Sequence, residues 1–289
     1  MILIADSGST KTSWALLDQG HPTTFFQTRG HNPYYYSGEE LKNILQQELM
    51  PQIKHPNHIT ELYFYGSGCS SETNCTRVAD ALEALFDQAE VKVHHDLYGA
   101  ALALLHREKG IACILGTGSN SCGWDGNEIT ENVPSLGFML ADEGSGTTIG
   151  KNLLKGLLKG EADEEITQAF YDHHDLTFEK TLDLIYKEPE PNRFMASLTK
   201  FAGQHIQNPW CRKVVKQSLD EFITLNVKLY QDYEKSPIAF TGSIAHHFKE
   251  ILQEVCNDHG LTMGIVLKDP IEGLVRFHES EVGNGESEA

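Results

Sequence analysis

Short hydrophobic runs alternate along the chain with longer segments in which hydrophobic residues recur at helical spacing. The short runs are rich in β-branched and aromatic residues and have the length of strands. Residues 73–89 show the helical pattern well, because Val78, Leu82, Leu85 and Phe86 recur on one face. This alternation predicts an α/β architecture.

The boundaries of the predicted elements follow from the same pattern. Strands are predicted at residues 2–5, 13–17, 23–28, 61–65, 91–94, 111–115, 121–124, 238–240 and 265–267. Helices are predicted at residues 38–49, 73–89, 98–109, 145–159, 193–207, 211–233, 243–258 and 271–279. We expect the acidic segment 161–165 to be a solvated loop or the start of a helix.

Length and charge limit the classes of partner. The 289 residues suffice for about two domains, since domains commonly have roughly 100 to 200 residues. With 23 Lys and Arg against 41 Asp and Glu, the net charge is −18, which disfavours a nucleic-acid partner. No hydrophobic run approaches the roughly 20 residues of a membrane helix, and the first residues lack the basic region of a signal peptide. We therefore expect no nucleic-acid or membrane partner, although a local group of amides with one cation can still bind a small anion.

The cysteines and histidines do not form metal-binding motifs. The six cysteines include no C-x-x-C pair. Three pairs of adjacent histidines diverge in either a strand or a helix, which makes them poor chelates. We expect reduced thiols, mostly in the interior, and hence a cytoplasmic protein.

An internal similarity is the most informative feature of the sequence. Residues 4–10 align with residues 114–120 at a constant offset of 118 − 8 = 110, which also places Trp14 opposite Trp124. Both copies have a hydrophobic strand, a turn of glycine and small hydroxyl residues, and a second strand. Chance similarity between two such turns is the alternative. Duplication predicts two similar domains, each of which contributes one turn to a shared cleft.

Both turns have the composition of phosphate-binding turns, because glycine permits close approach and backbone N–H groups and hydroxyls can bind phosphate oxygens. Lys11 adds a positive charge, whereas Asp6 would repel phosphate unless a cation lies between them. We therefore expect Mg²⁺ at Asp6, bound through water. Two ordinary hairpins are the alternative. The candidate phosphate-binding residues are Ser7, Gly8, Ser9, Thr10, Lys11, Thr12, Gly116, Thr117, Gly118 and Ser119.

Two acidic residues lie at the ends of predicted strands or before predicted helices. Asp96 follows the strand at 91–94, and Asp142 precedes the helix at 145–159. Either carboxylate can act as a helix cap, or as a base or sugar ligand in phosphoryl transfer to an alcohol. Gly242 and Ser243 lie at another strand–helix junction, where a bare backbone can approach a nucleotide.

In this order and spacing, the motifs resemble those of the N-acetylglucosamine kinases and the related BadF/BadG/BcrA/BcrD ATPase family, within the actin–hexokinase–Hsp70 superfamily. The resemblance extends from the first strand to near the end of the chain. It implies two ribonuclease H-like domains around a central ATP cleft. Their expected bounds are 1–108 and 109–269, with a helix in 270–289 returning to the first domain.

The resemblance also implies roles for particular residues. Asp96 matches the catalytic base that accepts the proton of the sugar 6-hydroxyl. The first and second turns match the phosphate loops, and Gly242 and Ser243 match the adenosine segment. The matching sugar-binding positions are Asn32, Asp96, Thr117, Asn120 and Asp142.

The expected activity is therefore ATP- and Mg²⁺-dependent phosphorylation of an amino sugar, with N-acetylglucosamine favoured and a homodimer left open. Segment 135–140 stands where related sugar kinases often carry Gly-Trp-Gly-His, so glucosamine and N-acetylmuramic acid stay open as substrates. An ATPase activator of an acyl-CoA dehydratase and a non-catalytic sugar sensor are the alternative functions. The activators hold an iron–sulfur cluster between subunits, and the cysteine spacing here gives no sign of one.

Overall fold

The computed structural model describes residues 1–8, 10–18, 20–174 and 176–285. Its contacts divide the chain into two units. The first unit consists of Met1–Arg107 together with the segment from Asp269 onward, and the second unit is Glu108–Lys268. The second unit is therefore inserted into the chain of the first.

The first unit contains a five-stranded sheet. Its strands are β1 (Ile2–Ser7), β2 (Lys11–Leu17), β3 (Thr24–Arg29), β4 (Glu61–Gly66) and β5 (Glu90–His95). The order across the sheet is β3-β2-β1-β4-β5. Strands β1, β2 and β3 pair antiparallel, whereas β1, β4 and β5 pair parallel. The ends of β1 and β5 therefore lie at the same edge of the sheet.

Three helices of the first unit precede the insertion: α1 (Gly38–Ile44), α2 (Glu72–Glu83) and α3 (Asp96–Leu105). Helix α1 begins with a capping box between Ser37 and Glu40, and it continues as a π-helical turn at Leu45–Leu49. Short 3₁₀ turns follow at Met50–Gln52 and Pro56–His58.

The second unit repeats this topology. Its strands are β6 (Gly110–Leu115), β7 (Ser119–Trp124), β8 (Ile129–Glu131), β9 (Ile238–Thr241) and β10 (Met263–Leu267). They lie in the order β8-β7-β6-β9-β10. Strand β7 pairs antiparallel with β6 and β8, whereas β9 pairs parallel with β6 and β10. The order and directions are thus those of the first sheet, which agrees with the predicted duplication.

The helices of the second unit are α4 (Gly146–Leu158), α5 (Glu164–His174), α6 (Phe178–Tyr186), α7 (Pro191–Ser197), α8 (Thr199–Gln204), α9 (Pro209–Leu225), α10 (Ser243–His247) and α11 (Lys249–Asp258). Helix α12 (Ile271–Gly285) then belongs to the first unit, where it packs on α3, β1 and β2. Among the described residues, no helix has the length and hydrophobicity needed to cross a membrane. Each unit has its own hydrophobic core.

Several predicted helices were too long. The helix predicted at 73–89 ends at Glu83, because Leu85 and Phe86 turn back to bond the Leu82 carbonyl. The helix predicted at 211–233 ends at Leu225 and is followed by a 3₁₀ turn at Val227–Leu229. The helices predicted at 193–207 and 243–258 are each two helices, α7 with α8 and α10 with α11. Buried Leu198 and Phe248 at these breaks keep the hydrophobic pattern continuous while the backbone changes direction.

The constant offset of the internal repeat does not match the strand register. Trp14 pairs with Ala5, and the offset would place Trp124 beside Leu115. Trp124 instead pairs with Gly110. The last pair before the turn is Ser7 with Thr12 in one hairpin and Leu115 with Ser119 in the other, so the second turn is one residue shorter. Gly8 therefore corresponds to Gly116 in position rather than to Gly118.

Candidate active site

The turn between β1 and β2 is closed by a hydrogen bond from the Gly8 amide to the Lys11 carbonyl, at 2.9 Å. The buried hydroxyls of Ser7 and Thr12 bond each other at 2.7 Å, so they brace the base of the turn. Thr10 and Lys11 are exposed, and an added Cβ at Gly8 would meet only the Lys11 carbonyl, at 3.6 Å. The turn thus has an open backbone at Gly8 and one nearby cation. Ser9 lies outside the described residues.

Acidic residues gather beside this turn. Asp6 is half-buried at the end of β1. The pKa of Asp6 is raised to about 7, mainly by burial and also by the negative charges of Asp96 and Asp269, while the positive charge of Lys11 opposes the rise. The Lys11 Nζ also forms an ion pair with the Asp269 Oδ1 at 2.6 Å. The combination of carboxylates with one lysine suits a divalent cation, whose preferred ligands are oxygens.

Asp96 begins α3 directly after β5. The cap of this helix is His95, whose Nδ1 accepts a hydrogen bond from the Leu97 amide at 3.3 Å. The Asp96 side chain is 26% exposed, and its Oδ1 is buried without a hydrogen bond among the described residues. Burial raises the pKa of Asp96, and His95, with its Nδ1 3.3 Å from that oxygen, opposes the rise. A partly exposed carboxylate that binds protons more readily can act as a base.

Asn32 is held in a compact loop of the first unit. Its Oδ1 accepts the Tyr34 amide at 3.0 Å, and its carbonyl accepts the amides of Tyr35 and Tyr36. Gly68 has a φ of +79°, and a Cβ there would lie 2.3 Å from the Asn32 Oδ1. Only glycine therefore allows this approach. The Gly30 amide bonds the Thr10 carbonyl at 3.1 Å, which joins the Asn32 loop to the β1–β2 turn.

The turn between β6 and β7 is fixed by the start of α4. The Gly116 amide bonds the Gly118 carbonyl at 2.9 Å, and the Gly116 carbonyl accepts the Gly146 amide at 2.8 Å. The Thr117 carbonyl accepts both the amide and the hydroxyl of Thr147, at 3.1 and 2.6 Å. The backbone at residues 116–118 is therefore rigid, which favours binding of a fixed anion.

Asp142 lies against this second turn. The Ser119 amide bonds its Oδ1 at 3.4 Å, and a Cβ on Gly118 would lie 3.1 Å from its Oδ2. Asp142 is 8% exposed and has a φ of +65°, a strained conformation for a residue other than glycine. Burial raises the pKa of Asp142, and the Ser119 amide opposes the rise. Strain and a perturbed carboxylate at one residue are typical of a functional position.

Gly242 brings the β9–α10 junction to the same turn. Its φ is +109°, and a Cβ there would lie 2.3 Å from the Leu115 carbonyl oxygen and 3.2 Å from the Gly116 amide nitrogen. Glycine is therefore required at this crossing. Ser243 is exposed at the first position of α10. The Asn120 side chain is less available to a ligand, because its Oδ1 accepts hydrogen bonds from the Ser121 amide and the Asn132 side-chain amide, at 2.9 and 3.2 Å.

In the first unit the structure thus brings together the first turn, Asp6, Asp96 and the Asn32 loop, and in the second unit the other turn, Asp142, Gly242 and Ser243. Asp269 was missed by the sequence reasoning. It stands between a predicted strand and a predicted helix, which is the arrangement that singled out Asp96. Among the described residues, no group of three or more His, Cys, Asp or Glu could hold a metal ion directly.

A sequence model of the BadF/BadG/BcrA/BcrD ATPase family matches residues 5–266. The chain belongs to the BadF/BadG/BcrA/BcrD ATPase family. This confirms the resemblance seen in the motifs.

Three individual proteins are similar to this family member over most of its length. It is 41% identical to a candidate N-acetylglucosamine kinase from Porphyromonas gingivalis, with a TM-score of 0.93, over 97% of this chain and 99% of that chain. It is 26% identical to the N-acetyl-D-glucosamine kinase of Dictyostelium discoideum, over 82% of this chain and 83% of that protein. The glucose complex of Schistosoma mansoni hexokinase shares the fold at 15% identity and a TM-score of 0.50, covering 96% of this chain and 85% of that one. The predicted ribonuclease H-like fold of both units is thereby confirmed.

Proposed function

We propose that this BadF/BadG/BcrA/BcrD family member is an ATP-dependent kinase of an amino sugar, with N-acetylglucosamine as substrate and its 6-hydroxyl as acceptor. The observation that carries the proposal is Asp96. It provides a partly exposed carboxylate, with one oxygen that has no hydrogen bond among the described residues, in the same unit as a lysine-bearing glycine turn. The P. gingivalis and D. discoideum relatives support the choice of sugar.

In this proposal the β1–β2 turn binds phosphate. The Gly8 backbone, the exposed Thr10 and the Lys11 amine face the anion, while the Ser7–Thr12 hydroxyl pair keeps the turn in shape. Lys11 acts as a point charge in a chain of net charge −18, where a phosphate would otherwise meet general repulsion. Ser9 belongs to the proposed set as well.

The residues beside the turn fit a magnesium ion held through water. Asp6 supplies carboxylate oxygens, and the absence of a three-ligand group among the described residues fits a cation that keeps most of its waters. When bound, Mg²⁺ would neutralise charge that develops on the transferred phosphoryl group. Asp6 orients that hydration shell in the proposal.

Asp96 accepts the proton of the sugar hydroxyl. Its raised pKa makes the carboxylate a better proton acceptor, and its place at the start of α3 fixes the side chain on a rigid element. Asn32 positions the sugar ring from the same unit, because Gly68 and the Tyr34 amide hold its side chain in place.

Residues of the second unit have proposed roles of their own. The backbone of Gly116, Thr117 and Gly118 and the Ser119 amide bind phosphate oxygens, and Gly242 and Ser243 contact the adenosine. Thr117 and Asp142 are proposed sugar contacts. Asn120 is a further proposed sugar contact. Because its Oδ1 already accepts two hydrogen bonds, its amide nitrogen is the group that would bind the sugar.

The cellular location and the oligomeric state are also part of the proposal. All six cysteines are free thiols, which supports the proposed cytoplasmic location. A homodimer is the assembly to test first, by comparing the mass in solution with the 32.2 kDa of one chain. No observation favours the dehydratase activator or the sugar sensor.

An assay of ADP release tests the proposed function. Purified protein is incubated with Mg²⁺ and ATP and with N-acetylglucosamine, glucosamine or N-acetylmuramic acid, and a reaction without sugar measures idle hydrolysis. We expect N-acetylglucosamine to accelerate ADP release most, with a phosphate ester at the 6-position in the product. ADP release that is independent of every sugar would favour an ATPase, and ligand binding without ADP release would favour a sensor.

A further inference from the structure

Asp269 is the acidic residue beside the phosphate turn to which the proposed function gives no role. It lies where the chain returns to the first unit, between the end of β10 at Leu267 and the start of α12 at Ile271. Its Oδ1 contacts the Lys11 Nζ at 2.6 Å, and the two side chains are 32% and 45% exposed. An ion pair this exposed contributes little to stability, so folding alone does not explain it.

The charges around this contact oppose nucleotide binding. Asp269 and Asp96 both lie close enough to Asp6 to act on it electrostatically, and Lys11 is the positive group that acts against them. A nucleotide phosphate that approached Lys11 would meet a carboxylate already bound to that amine. A carboxylate and a phosphate that contact the same amine repel each other, and the repulsion grows when bound nucleotide excludes water from the site. If Lys11 served only to hold phosphate, Asp269 would weaken phosphate binding.

A divalent cation resolves this conflict, because carboxylates that repel phosphate attract Mg²⁺. We propose that Asp269 is a positioning residue that acts with Asp6 to make nucleotide binding depend on Mg²⁺. The inference rests on the proposed function and extends it. In the free protein Asp269 holds the Lys11 amine, and in the loaded protein its charge favours the cation. Asp269 thus disfavours metal-free nucleotide and favours the magnesium complex.

Equilibrium binding tests this without turnover. Calorimetric titration measures the dissociation constant of ADP in millimolar Mg²⁺ and again in EDTA, for wild type and for Asp269→Asn. Wild type is expected to bind ADP more tightly with Mg²⁺. In Asp269→Asn, we expect metal-free ADP to bind roughly tenfold more tightly than to wild type, because one repulsive charge is gone. The gain from Mg²⁺, meaning the ratio of the ADP dissociation constants without and with Mg²⁺, should shrink by a similar factor. Asp269→Glu, which keeps the charge, should restore most of that gain.

Glu272→Gln is the matched control, because it removes an equal charge from an exposed residue in the first turn of α12. It should leave both dissociation constants near those of wild type. Lys11→Ala separates the two contacts of Asp269. In the Lys11→Ala protein, Asp269→Asn should still reduce the gain in ADP affinity from Mg²⁺. If Asp269→Asn no longer changed that gain, Asp269 would be only a partner of Lys11, and the inference would be overturned.

The remaining outcomes are distinct. Equal weakening of ADP binding with and without Mg²⁺ in Asp269→Asn would mean a structural role and overturn the inference, as would constants equal to those of wild type. Both results leave the proposed kinase standing if wild type binds ADP in a Mg²⁺-dependent way. A wild-type protein that binds no ADP under either condition would overturn the proposed function and this inference with it.

Discussion

Three candidate carboxylates, two in the first unit and one in the second, share one physical property. Burial raises the pKa of Asp6, Asp96 and Asp142. At Glu40 and Asp163, by contrast, backbone hydrogen bonds at helix starts lower the pKa. Raised values arise where a carboxylate is desolvated without enough donors to compensate, and such residues cluster at functional sites. These residues are therefore the first targets for mutagenesis.

Asp96→Asn tests the proposed base. The amide cannot accept the hydroxyl proton, so kcat with N-acetylglucosamine should fall by roughly 10²-fold or more, while ADP binding is largely spared. Steady-state kinetics and calorimetric titration measure the two quantities. Asp80→Asn, at an exposed position of α2, is the matched control and should keep normal kcat. Near-normal turnover in Asp96→Asn would remove Asp96 from the mechanism.

Two buried histidines predict how stability depends on pH. His31 is 1% exposed, its ring nitrogens form no hydrogen bond among the described residues, and burial lowers its pKa to about 4. His278 is 5% exposed and bonds the Tyr65 hydroxyl at 3.0 Å, and burial lowers its pKa to about 4 as well. Between pH 6.5 and about 4 the unfolded chain therefore binds protons that the folded protein does not. Each histidine should cost at most ~1.4 kcal/mol of stability per pH unit as the pH falls through this range.

Urea unfolding of wild type and His31→Phe over pH 5 to 7.5 measures this effect. The free energy of unfolding of the variant should fall less steeply below about pH 6.5, because one proton-binding group is gone. His21→Phe, at an exposed position, should follow the wild-type curve. Parallel curves for wild type and His31→Phe would show that His31 is protonated freely in the folded protein.

Between elements, glycines set how closely helices approach. Gly150 lies in α4, and an added Cβ would be 1.8 Å from the Met195 carbonyl oxygen in α7. Backbone cannot move aside as the end of a flexible side chain can. Helix α4 begins four residues after the strained Asp142, and its first residue bonds the Gly116 carbonyl, so its packing on α7 also holds the second turn in place.

Gly150→Ala should therefore destabilise the protein by about 1–3 kcal/mol or more, as overpacked cores do. Gly203→Ala is a matched control in α8, because its Cβ would meet only the Phe248 ring, at 3.9 Å. That change should be neutral or stabilising by up to ~1 kcal/mol, since alanine favours helices. Chemical denaturation measures both, and equal stabilities would contradict the close approach of α4 and α7.

The strands were predictable to within two residues at each end, apart from β8. Buried strands carry continuous hydrophobic runs, and that signal is local. Strand β8 has only three residues, and α5 buries only Ile166 and Phe170, so neither pattern stands out from a loop. Helix α6 was missed for a similar reason, because it buries only Thr181.

The limits of prediction at the candidate site have a different cause. The turns, Asp96 and Asp142 could be chosen from residue type next to predicted elements. The contact between Lys11 and Asp269 joins residues 258 positions apart, and no local pattern encodes it. The register shift between the two hairpins likewise depends on how the strands pair. The Asn120 Oδ1 accepts a hydrogen bond from Asn132, which is distant from it in the chain.

For the whole molecule, net charge governs the encounter with nucleotide. A protein of net charge −18 repels ADP over long distances when salt is scarce. The Debye length falls from about 30 Å at 0.01 M to about 8 Å at 0.15 M salt, so added salt should remove the repulsion. We expect the association rate of a fluorescent ADP analogue, measured by stopped flow, to rise with salt over this range.

The affinity of uncharged N-acetylglucosamine serves as the control and should change little over the same salt range. An association rate that falls with salt would mean that local positive charge near Lys11 governs the encounter instead.

The insertion of the second unit between Arg107 and Asp269 has a consequence for biosynthesis. A ribosome completes all of residues 108–268 before it makes α12, whose buried Leu274 and Phe277 belong to the first unit. The nascent first unit must therefore wait for the helix that packs on α3, β1 and β2, while the inserted unit can already acquire its own core. The first unit, whose translation begins first, can thus be completed only after the whole inserted unit has been made.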